Sequence, residues 1–296
     1  MPRTLDDLRG EARRRRLPNV LRNLERLASP GLRVSAAPAA DEDRIPLGAS
    51  KFWGRPDLPA SIEWPLASGR PLAFLGQLDM AVASPLADPD VLPAAGLLYF
   101  FYDLETMPTG LDPAEKSFWR VLFQEDPSEP LRRVPVPEEA VPAAWRDSGE
   151  GMPEPLSLSF ETRVFLPSQN DVDLLELGLP DDEDERLQEW LDEEDEKGAQ
   201  SGSGDHRLLG RPFLIRSDMR LECQLASNGV RCGDGSELDD PRAPELARGA
   251  GDWRLLLQRD SDPDGVTWGD GGMLYFWIRY ADLRSLRFEN AWCILQ

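Results

Sequence analysis

The chain has 296 residues, of which 41% are hydrophobic and 29% are charged, a composition typical of one or two globular domains with a buried core. Its 54 acidic residues exceed its 33 lysines and arginines by 21. This excess argues against nucleic acid and anionic membranes as partners, because the field of the protein would repel both, and it favours a basic partner. No segment reaches the roughly 20 apolar residues of a membrane-spanning helix.

The cysteines and the single histidine indicate the redox compartment and limit the kinds of metal and catalytic site that the chain can form. The three cysteines, Cys223, Cys232 and Cys293, form no dense framework, and an odd number suits a reducing compartment. Residues 13–16 are all arginine where an export signal needs an apolar core, so a cytoplasmic location is expected. The single histidine, His206, excludes multi-histidine metal sites, and any Ser-His-Asp or Cys-His mechanism would have to use it.

Residues 1–31 are predicted to form an N-terminal helical segment. Thr4 is placed to cap a helix whose first turn contains Asp6 and Asp7. Pro18 interrupts this helix, and apolar residues then recur at helical spacing until Pro30.

Residues 32–180 are predicted to form a first β-rich half. Several segments are rich in aromatic and aliphatic residues and have the length of strands. These segments are residues 72–80, 96–102, 118–124 and 156–166. Proline-rich connections separate them, which indicates loops and short edge strands.

Residues 181–205 combine an acidic helix with a flexible linker. Residues 181–197 contain 11 acidic and two basic residues, and Leu187, Trp190 and Leu191 form one narrow apolar stripe. Two interpretations stay open: a surface helix whose carboxylates are solvated, or an acidic arm that engages a basic partner. Since only three apolar residues anchor it, replacing 181–204 by a Gly-Ser linker is expected to change the free energy of unfolding by no more than about 1–2 kcal/mol.

Residues 206–296 are predicted to form a second β-rich half that packs with the first into one compact unit. Four further segments have the composition of strands. They are residues 211–215, 222–226, 253–259 and 273–280.

An internal repeat links the two halves. Residues 72–80 resemble residues 254–262, and residues 96–101 match 272–277 in the same order. In both copies an aspartate follows a glutamine by two positions: Gln77 and Asp79, then Gln258 and Asp260. The repeat predicts a duplicated β-rich unit, whose two halves pack together through these apolar strands.

An ordered set of segments extends beyond the repeat. It comprises SKFWGRPDLP at 50–59, Trp64-Pro65, 71–79, LPAAGLLYFF at 92–101, HRLLGRP at 206–212 and 255–276. In this order the set resembles the YwqG-like family of uncharacterised bacterial proteins over about residues 45–290. The resemblance implies an α+β fold that is β-rich, with duplicated, mainly antiparallel sheets. The segments described above add an N-terminal helix and an acidic surface helix to this fold. Because related genes are often found near secreted-toxin loci, it also implies an immunity or interaction role.

The loop after Asp260 has two interpretations. Asp260, Asp262 and Asp264, followed by glycine, begin like a calcium-binding loop, in which alternating carboxylates surround the cation. Counted from Asp260, position 12 is Gly271 and not the glutamate that a complete loop needs. A polar turn between strands is therefore favoured, and no metal site is predicted.

The same loop places carboxylates around an aromatic side chain. Such a group can bind a cationic or sugar-like ligand, or divide acid and base roles if the pKa values differ. The repeat adds the corresponding residues of the first half. The candidate binding residues are Gln77, Asp79, Gln258, Asp260, Asp262, Trp268 and Asp270.

The favoured hypothesis is a non-enzymatic cytoplasmic binding protein for a basic partner, in one version an immunity-type protein. The alternatives are a carboxylate-dependent hydrolase that uses Asp260, Asp262 and Asp270, and a small-ligand or carbohydrate-binding module that uses Trp268. No P-loop, dinucleotide fingerprint or nucleophile elbow is present, so no cofactor is predicted.

Overall fold

Antiparallel β-strands organise most of the chain. The computed structural model describes residues 4–87, 91–199, 204–261 and 266–296. The strands in these residues are β1 (Ser29–Pro38), β2 (Lys51–Phe52), β3 (Asp57–Pro59), β4 (Leu66–Ala67), β5 (Arg70–Pro71), β6 (Ala73–Asp79), β7 (Leu97–Tyr102), β8 (Trp119–Gln124), β9 (Leu131–Arg133), β10 (Leu156–Phe165), β11 (His206–Leu209), β12 (Trp253–Asp260), β13 (Met273–Arg279) and β14 (Trp292–Leu295). The α-helices are α1 (Leu5–Arg14), α2 (Pro18–Leu27), α3 (Met80–Ala83), α4 (Ala143–Ser148), α5 (Val172–Leu175), α6 (Asp181–Ala199), α7 (Arg220–Ala226), α8 (Ala243–Leu246) and α9 (Tyr280–Arg284). Short 3-10 helices cover Glu42–Arg44, Ser84–Leu86, Pro113–Phe118, Glu138–Ala140, Ser236–Asp239, Ala247–Asp252 and Phe288–Asn290.

Ten of the described strands form one sheet in the order β14-β13-β12-β11-β1-β10-β2-β6-β7-β8, and neighbouring strands are antiparallel. The long strands β1 and β10 pair from Ser29 with Phe165 to Pro38 with Leu156 and form the centre of the sheet. The first half of the chain extends the sheet on the β10 side, and the second half extends it on the β1 side. The predicted α+β fold with mainly antiparallel sheets is confirmed.

The sheet curls until its two ends meet. The indole N–H of Trp119 in β8 donates to the carbonyl of Ala291, beside β14, at 3.1 Å. The rings of Trp119 and Trp292 meet edge to face with centroids 5.1 Å apart. Phe100 of β7 and Phe276 of β13 are in contact across the interior at 5.0 Å. The largest hydrophobic core therefore contains residues from both halves of the chain.

Helices α1, α2 and α6 form a second, smaller core. Thr4 caps α1 in a capping box with Asp7, and Pro18 occupies the first turn of α2, as their residue types predict. Leu187 and Trp190 of α6 are each 1% exposed and pack in this core, which confirms the predicted apolar stripe at these positions. Neither α6 nor any other described helix is long and apolar enough to cross a membrane.

Two predicted strands of the second half are wrong. Residues 222–226 belong to α7, where Cys223 and Ala226 lie three positions apart and are both buried. Residues 211–215 form no strand, and β11 precedes them. A five-residue segment with three apolar side chains fits a strand and a buried helical turn equally well, and Pro212 has no N–H to donate to a sheet.

The two halves contain the same buried hydrogen-bond arrangement. In the first half, the side-chain oxygen of Gln77 accepts from the backbone N–H of Asp57 at 2.8 Å, and its amide donates to the carbonyl of Ala49 at 2.9 Å. In the second half, the side-chain oxygen of Gln258 accepts from the backbone N–H of Phe213 at 2.7 Å. Its amide donates to the carbonyl of Asp205 at 2.6 Å. Asp205 precedes Arg207, the residue paired with Gln258, by two positions, just as Ala49 precedes Lys51, the residue paired with Gln77.

A second pair of contacts is also repeated. The backbone N–H of Asp79 donates to the hydroxyl of Ser50 at 2.8 Å. The backbone N–H of Asp260 donates to Nδ1 of His206 at 2.9 Å. The two halves therefore place their Gln-x-Asp segments in equivalent positions at the two sides of the central strand pair.

The turns after β2 and β11 correspond as well. Trp53 and Leu209 both adopt positive φ, 58° and 61°, in the left-handed region that side chains rarely occupy. Each is followed by Gly-Arg-Pro, at 54–56 and 210–212. This tripeptide is a third part of the repeat, and it marks a shared backbone turn.

Candidate functional site

Gln77 and Gln258 are completely buried, and their side chains bind backbone groups. Tyr99 and Tyr275 complete the arrangement, since their hydroxyls donate to the carbonyls of the same two segments that the glutamines hold. A buried amide in this position fixes a loop against the sheet. The structure therefore gives both glutamines a positioning role in the fold.

Asp79 and Asp260 end equivalent strands, but both carboxylates bind backbone N–H groups. Oδ1 of Asp79 accepts from Ala81 at 2.9 Å and begins α3. Asp260 accepts from Asp205 at 2.8 Å and from Ser261 at 2.7 Å. Burial raises the pKa of Asp260 despite these hydrogen bonds.

Trp268 is fully buried between the two halves. Its ring stacks on Trp53 with centroids 6.3 Å apart and meets Tyr102 edge to face at 5.9 Å. Its indole N–H donates to the carbonyl of Asp260 at 3.1 Å. The structure thus brings Trp268 and Asp260 together, while Asp270 is exposed on the surface.

The segment that begins like a calcium-binding loop, interpreted above as a polar turn, is only partly within the described residues. Asp262 and Asp264 lie outside them, and Asp260 uses both oxygens for the contacts given above. Among the residues that the structure describes, no three His, Cys, Asp or Glu side chains are grouped so that they could hold a metal ion.

His206 is 1% exposed and lies beside a buried arginine. The guanidinium of Arg259 approaches its Nε2 at 3.2 Å, and the ring of Phe52 contacts the imidazole edge to face at 5.1 Å. Burial, followed by repulsion from Arg259 and Arg33, holds the pKa of His206 well below its usual value. The imidazole is therefore neutral and serves as the acceptor for the N–H of Asp260.

A buried ion cluster lies under the first half. Nζ of Lys51 is 3.2 Å from a carboxylate oxygen of Glu42 and 3.5 Å from one of Asp57, and Nε of Arg133 is 2.8 Å from Asp57. Burial lowers the pKa of Lys51, and the two carboxylates only partly oppose this. Burial alone would raise the pKa of Asp57, but the hydrogen bond from Arg133 and the charge of Lys51 lower it. Lys51 and Asp57 are both inaccessible to solvent, so removing one member of the cluster would leave a buried charge without its partner. The cluster therefore has a structural role beside β2.

The exposed side of α6 carries a row of carboxylates, which we call the acidic face. It consists of Asp181, Asp184, Glu185, Glu189 and Asp192. None of the five is in an ion pair with a residue of the described ranges.

The opposite side of α6 is anchored by more than its apolar stripe. Glu183 is 2% exposed, and its carboxylate accepts from the backbone N–H groups of Asn19 at 2.7 Å and Val20 at 3.1 Å. These N–H groups belong to the first turn of α2, which has no cap of its own. Glu183 therefore caps α2 from another helix, and α6 is held in a defined orientation.

A polar cavity of about 280 Å³ opens beside β12 and β13. Its lining includes four arginines and three aspartates, and we call it the Arg–Asp cavity. These residues are Arg26, Arg211, Arg220, Arg254, Asp171, Asp173 and Asp218. Trp253, Leu255 and Trp277 of the sheet provide apolar lining.

Comparison with known families identifies the larger part of the chain. Residues 50–296 match the family described as Domain of unknown function (DUF1963). The chain belongs to this family. No curated protein matches the chain.

The DUF1963 region begins just before β2 and leaves α1, α2 and β1 outside the match. The acidic face and the Arg–Asp cavity both involve contacts between the matched region and the segment before it. The acidic face belongs to the DUF1963 region, but its helix docks on α1 and α2. The Arg–Asp cavity is formed by DUF1963 residues together with Arg26, Ala28 and Ser29 from the preceding segment.

Sequence reasoning missed the Arg–Asp cavity. Arg254 and Trp277 lie in segments that were correctly predicted as strands, and the composition of a strand does not indicate a cavity beside it. The available signal was the use of arginine, since 30 of the 33 basic residues are arginines, which form planar ion pairs with carboxylates. That ratio predicts such pairs without indicating which residues meet.

Proposed function

We propose that this protein is a non-enzymatic binding protein that uses the acidic face of α6 to hold a basic protein partner. The observation that carries the proposal is the separation of roles on α6. Leu187, Trp190 and Glu183 fix the helix to the body of the protein, and five carboxylates without an ion-pair partner in the described ranges face solvent. The narrower parts of the proposal are a cytoplasmic location, expected from the cysteine usage and the N-terminal arginines, and an immunity-type role, implied by the resemblance to the YwqG-like bacterial family.

Charge supports this function physically. A net charge of −21 accelerates the approach of a cationic surface, and the acidic face is the surface to which such a partner binds. Because an ordered helix presents the carboxylates, binding does not require the helix to form first, which reduces the entropic cost of association.

The other hypotheses have less support. The hydrolase needs two carboxylates that act together, but Asp260 accepts from two backbone N–H groups while Asp270 is exposed on the surface. The carbohydrate-binding module needs an exposed aromatic face, but Trp268 is buried between Trp53 and Tyr102.

The test begins with a low-salt pull-down from the native host and mass spectrometry, and continues with association kinetics of the purified partner. The variant Glu185→Gln/Glu189→Gln/Asp192→Asn removes three charges from the acidic face. We expect it to slow association about tenfold or more at low ionic strength and to flatten the salt dependence, because exposed charges are screened over about 8–10 Å.

The matched control is Glu138→Gln/Glu139→Gln/Glu150→Gln, which removes the same charge from exposed positions elsewhere. It should retain most of the association rate. Equal slowing by both variants would mean that only net charge matters, and a partner whose binding ignores the α6 variant would contradict the proposal.

A further inference from the structure

The arginines of the Arg–Asp cavity differ in how they are paired. Arg211 is 2.5 Å from Asp173 and 3.3 Å from Asp171. Arg220 reaches the same two carboxylates at 3.2 and 3.3 Å and is also paired with Asp218. Two arginines and three aspartates thus satisfy one another along one wall of the cavity.

Arg254 lines the same cavity and is in no salt bridge with a described residue. Its guanidinium donates to the carbonyls of Gly251 at 2.6 Å and Trp253 at 2.9 Å and lies over the ring of Tyr280 at 5.9 Å. Loss of hydration, followed by repulsion from Arg220, lowers its pKa. A guanidinium with five N–H donors that meets two carbonyls retains capacity for an anion.

Trp277 provides a second, independent sign of a missing acceptor. Its side chain is 3% exposed, lines the cavity, and has no hydrogen-bond partner for its indole N–H among the described residues. A buried donor without an acceptor destabilises the protein, because it has lost its hydrogen bonds to water. The neighbouring Trp253 is satisfied, because its N–H donates to Gln224 at 2.9 Å.

In the first half of the chain, the position equivalent to Trp277 is covered by an aromatic side chain. Phe101 pairs with Phe74 at the β-bulge of β6, as Trp277 pairs with Leu255 at the β-bulge of β12. Phe101 is covered by the ring of Trp64, edge to face at 5.6 Å. Trp277, the corresponding residue of the second half, lines the Arg–Asp cavity, and its indole N–H has no partner among the described residues.

We propose that the Arg–Asp cavity binds a small organic monocarboxylate, whose oxygens are held by Arg254 and by the indole N–H of Trp277. Four arginines against three aspartates leave one positive charge in the lining, which suits a monoanion. The three aspartates disfavour a phosphate dianion, and Trp253, Leu255 and Trp277 can pack against the apolar body of the ligand.

The probes are benzoate and hexanoate, with benzamide as a neutral analogue and phenyl phosphate as a dianion, measured by calorimetry. We expect saturable binding of at least one carboxylate and at least about tenfold weaker binding of benzamide and phenyl phosphate. In ¹H–¹⁵N spectra, the indole resonance that disappears in Trp277→Phe should shift when the carboxylate is added.

Variants locate the site. Arg254→Gln should weaken carboxylate binding about tenfold or more, and Arg254→Lys should restore part of it, because the positive charge returns without the planar fork. Trp277→Phe keeps the ring and removes the donor, so it should weaken binding several-fold. Arg132→Gln makes the same charge change at an exposed position of β9 and should leave binding unchanged.

Two results would overturn the proposal: no saturable binding of either carboxylate, or binding that Arg254→Gln leaves intact in a protein whose melting temperature is unchanged. The α6 charge variant separates this site from the proposed protein-binding surface. It should retain carboxylate binding, since its three positions are outside the cavity lining.

Discussion

His206 makes the stability of the protein depend on pH below neutrality. The imidazole is ionised in the unfolded chain below a pKa of about 6.5, but burial and Arg259 keep it neutral in the folded protein. Its contribution to stability is therefore complete above pH 6.5 and decreases as the pH falls. Each pH unit below that value should cost up to about 1.4 kcal/mol.

His206→Asn tests this directly, because the Asn oxygen can still accept from the N–H of Asp260 without binding a proton. Denaturant unfolding of both proteins at pH 7.5 and 5.5 gives the comparison. The wild type should lose about 1 kcal/mol more than the variant across this interval. Parallel losses would show that the imidazole is not held neutral.

Glu222 has the opposite effect on the pH dependence of stability. Burial, with repulsion from Asp218 and Glu237, raises the pKa of Glu222 to about 7 from 4.5. Between these two values the folded protein holds a proton that the unfolded chain has released, so stability decreases as the pH rises from about 4.5 to 7. We expect Glu222→Gln to stabilise the protein by about 1–3 kcal/mol more at pH 8 than at pH 5.

The measurement is the difference in unfolding free energy between Glu222→Gln and the wild type at the two pH values. Glu150→Gln, at an exposed position, is the control and should show no such difference. Because the effects of His206 and Glu222 oppose each other near pH 6, the wild-type profile should be flatter there than that of either variant.

At the scale of elements, α6 is bound more strongly to the protein than its sequence indicates. Trp190 is 1% exposed, and Glu183 caps α2, so Trp190→Ala should cost about 3–5 kcal/mol of unfolding free energy. Replacing 181–204 by a linker should then cost more than the 1–2 kcal/mol expected from the apolar stripe alone. Urea unfolding of Trp190→Ala, with Glu185→Gln as a surface control that changes stability by less than about 0.5 kcal/mol, checks this.

The difference between the two estimates has a physical origin. Helical spacing reveals which apolar residues share a face, and it correctly identified Leu187 and Trp190. It does not distinguish Glu183 from the other acidic residues of the helix, because the acceptor role of Glu183 depends on the first turn of α2, more than 160 residues earlier. For the same reason, the short segment 222–226 was assigned to a strand when its partners in space make it a helix.

At the scale of the whole molecule, the equivalence of the two halves predicts equivalent energetics. Gln77→Leu would leave the N–H of Asp57 and the carbonyl of Ala49 unpaired in the core, and Gln258→Leu would do the same to Phe213 and Asp205. Each substitution should cost about 2–4 kcal/mol. Thermal and urea unfolding of both variants, with melting curves at matched pH, gives the comparison, and a cost confined to one half would contradict the equivalence.

The candidate binding residues show how far a repeat can be interpreted. The recurring Gln-x-Asp pattern located two equivalent positions of the sheet. It did not indicate that each glutamine side chain would bind the backbone N–H that lies six residues after its paired residue, Lys51 or Arg207. That contact depends on the turns at Trp53 and Leu209. The Arg–Asp cavity was missed because its lining residues come from five separate parts of the chain.

The central strand pair also determines how the chain can fold. Ser29 pairs with Phe165 and Gly31 with Leu209, so the middle of the sheet joins segments that are far apart in sequence. Such non-local pairing is slow, because loop closure precedes any gain from contacts. During synthesis β1 emerges early and waits for β10 and β11, while β14, at residues 292–295, emerges last. A nascent or truncated chain therefore exposes unpaired strand edges, which makes aggregation the main hazard on its way to the folded state.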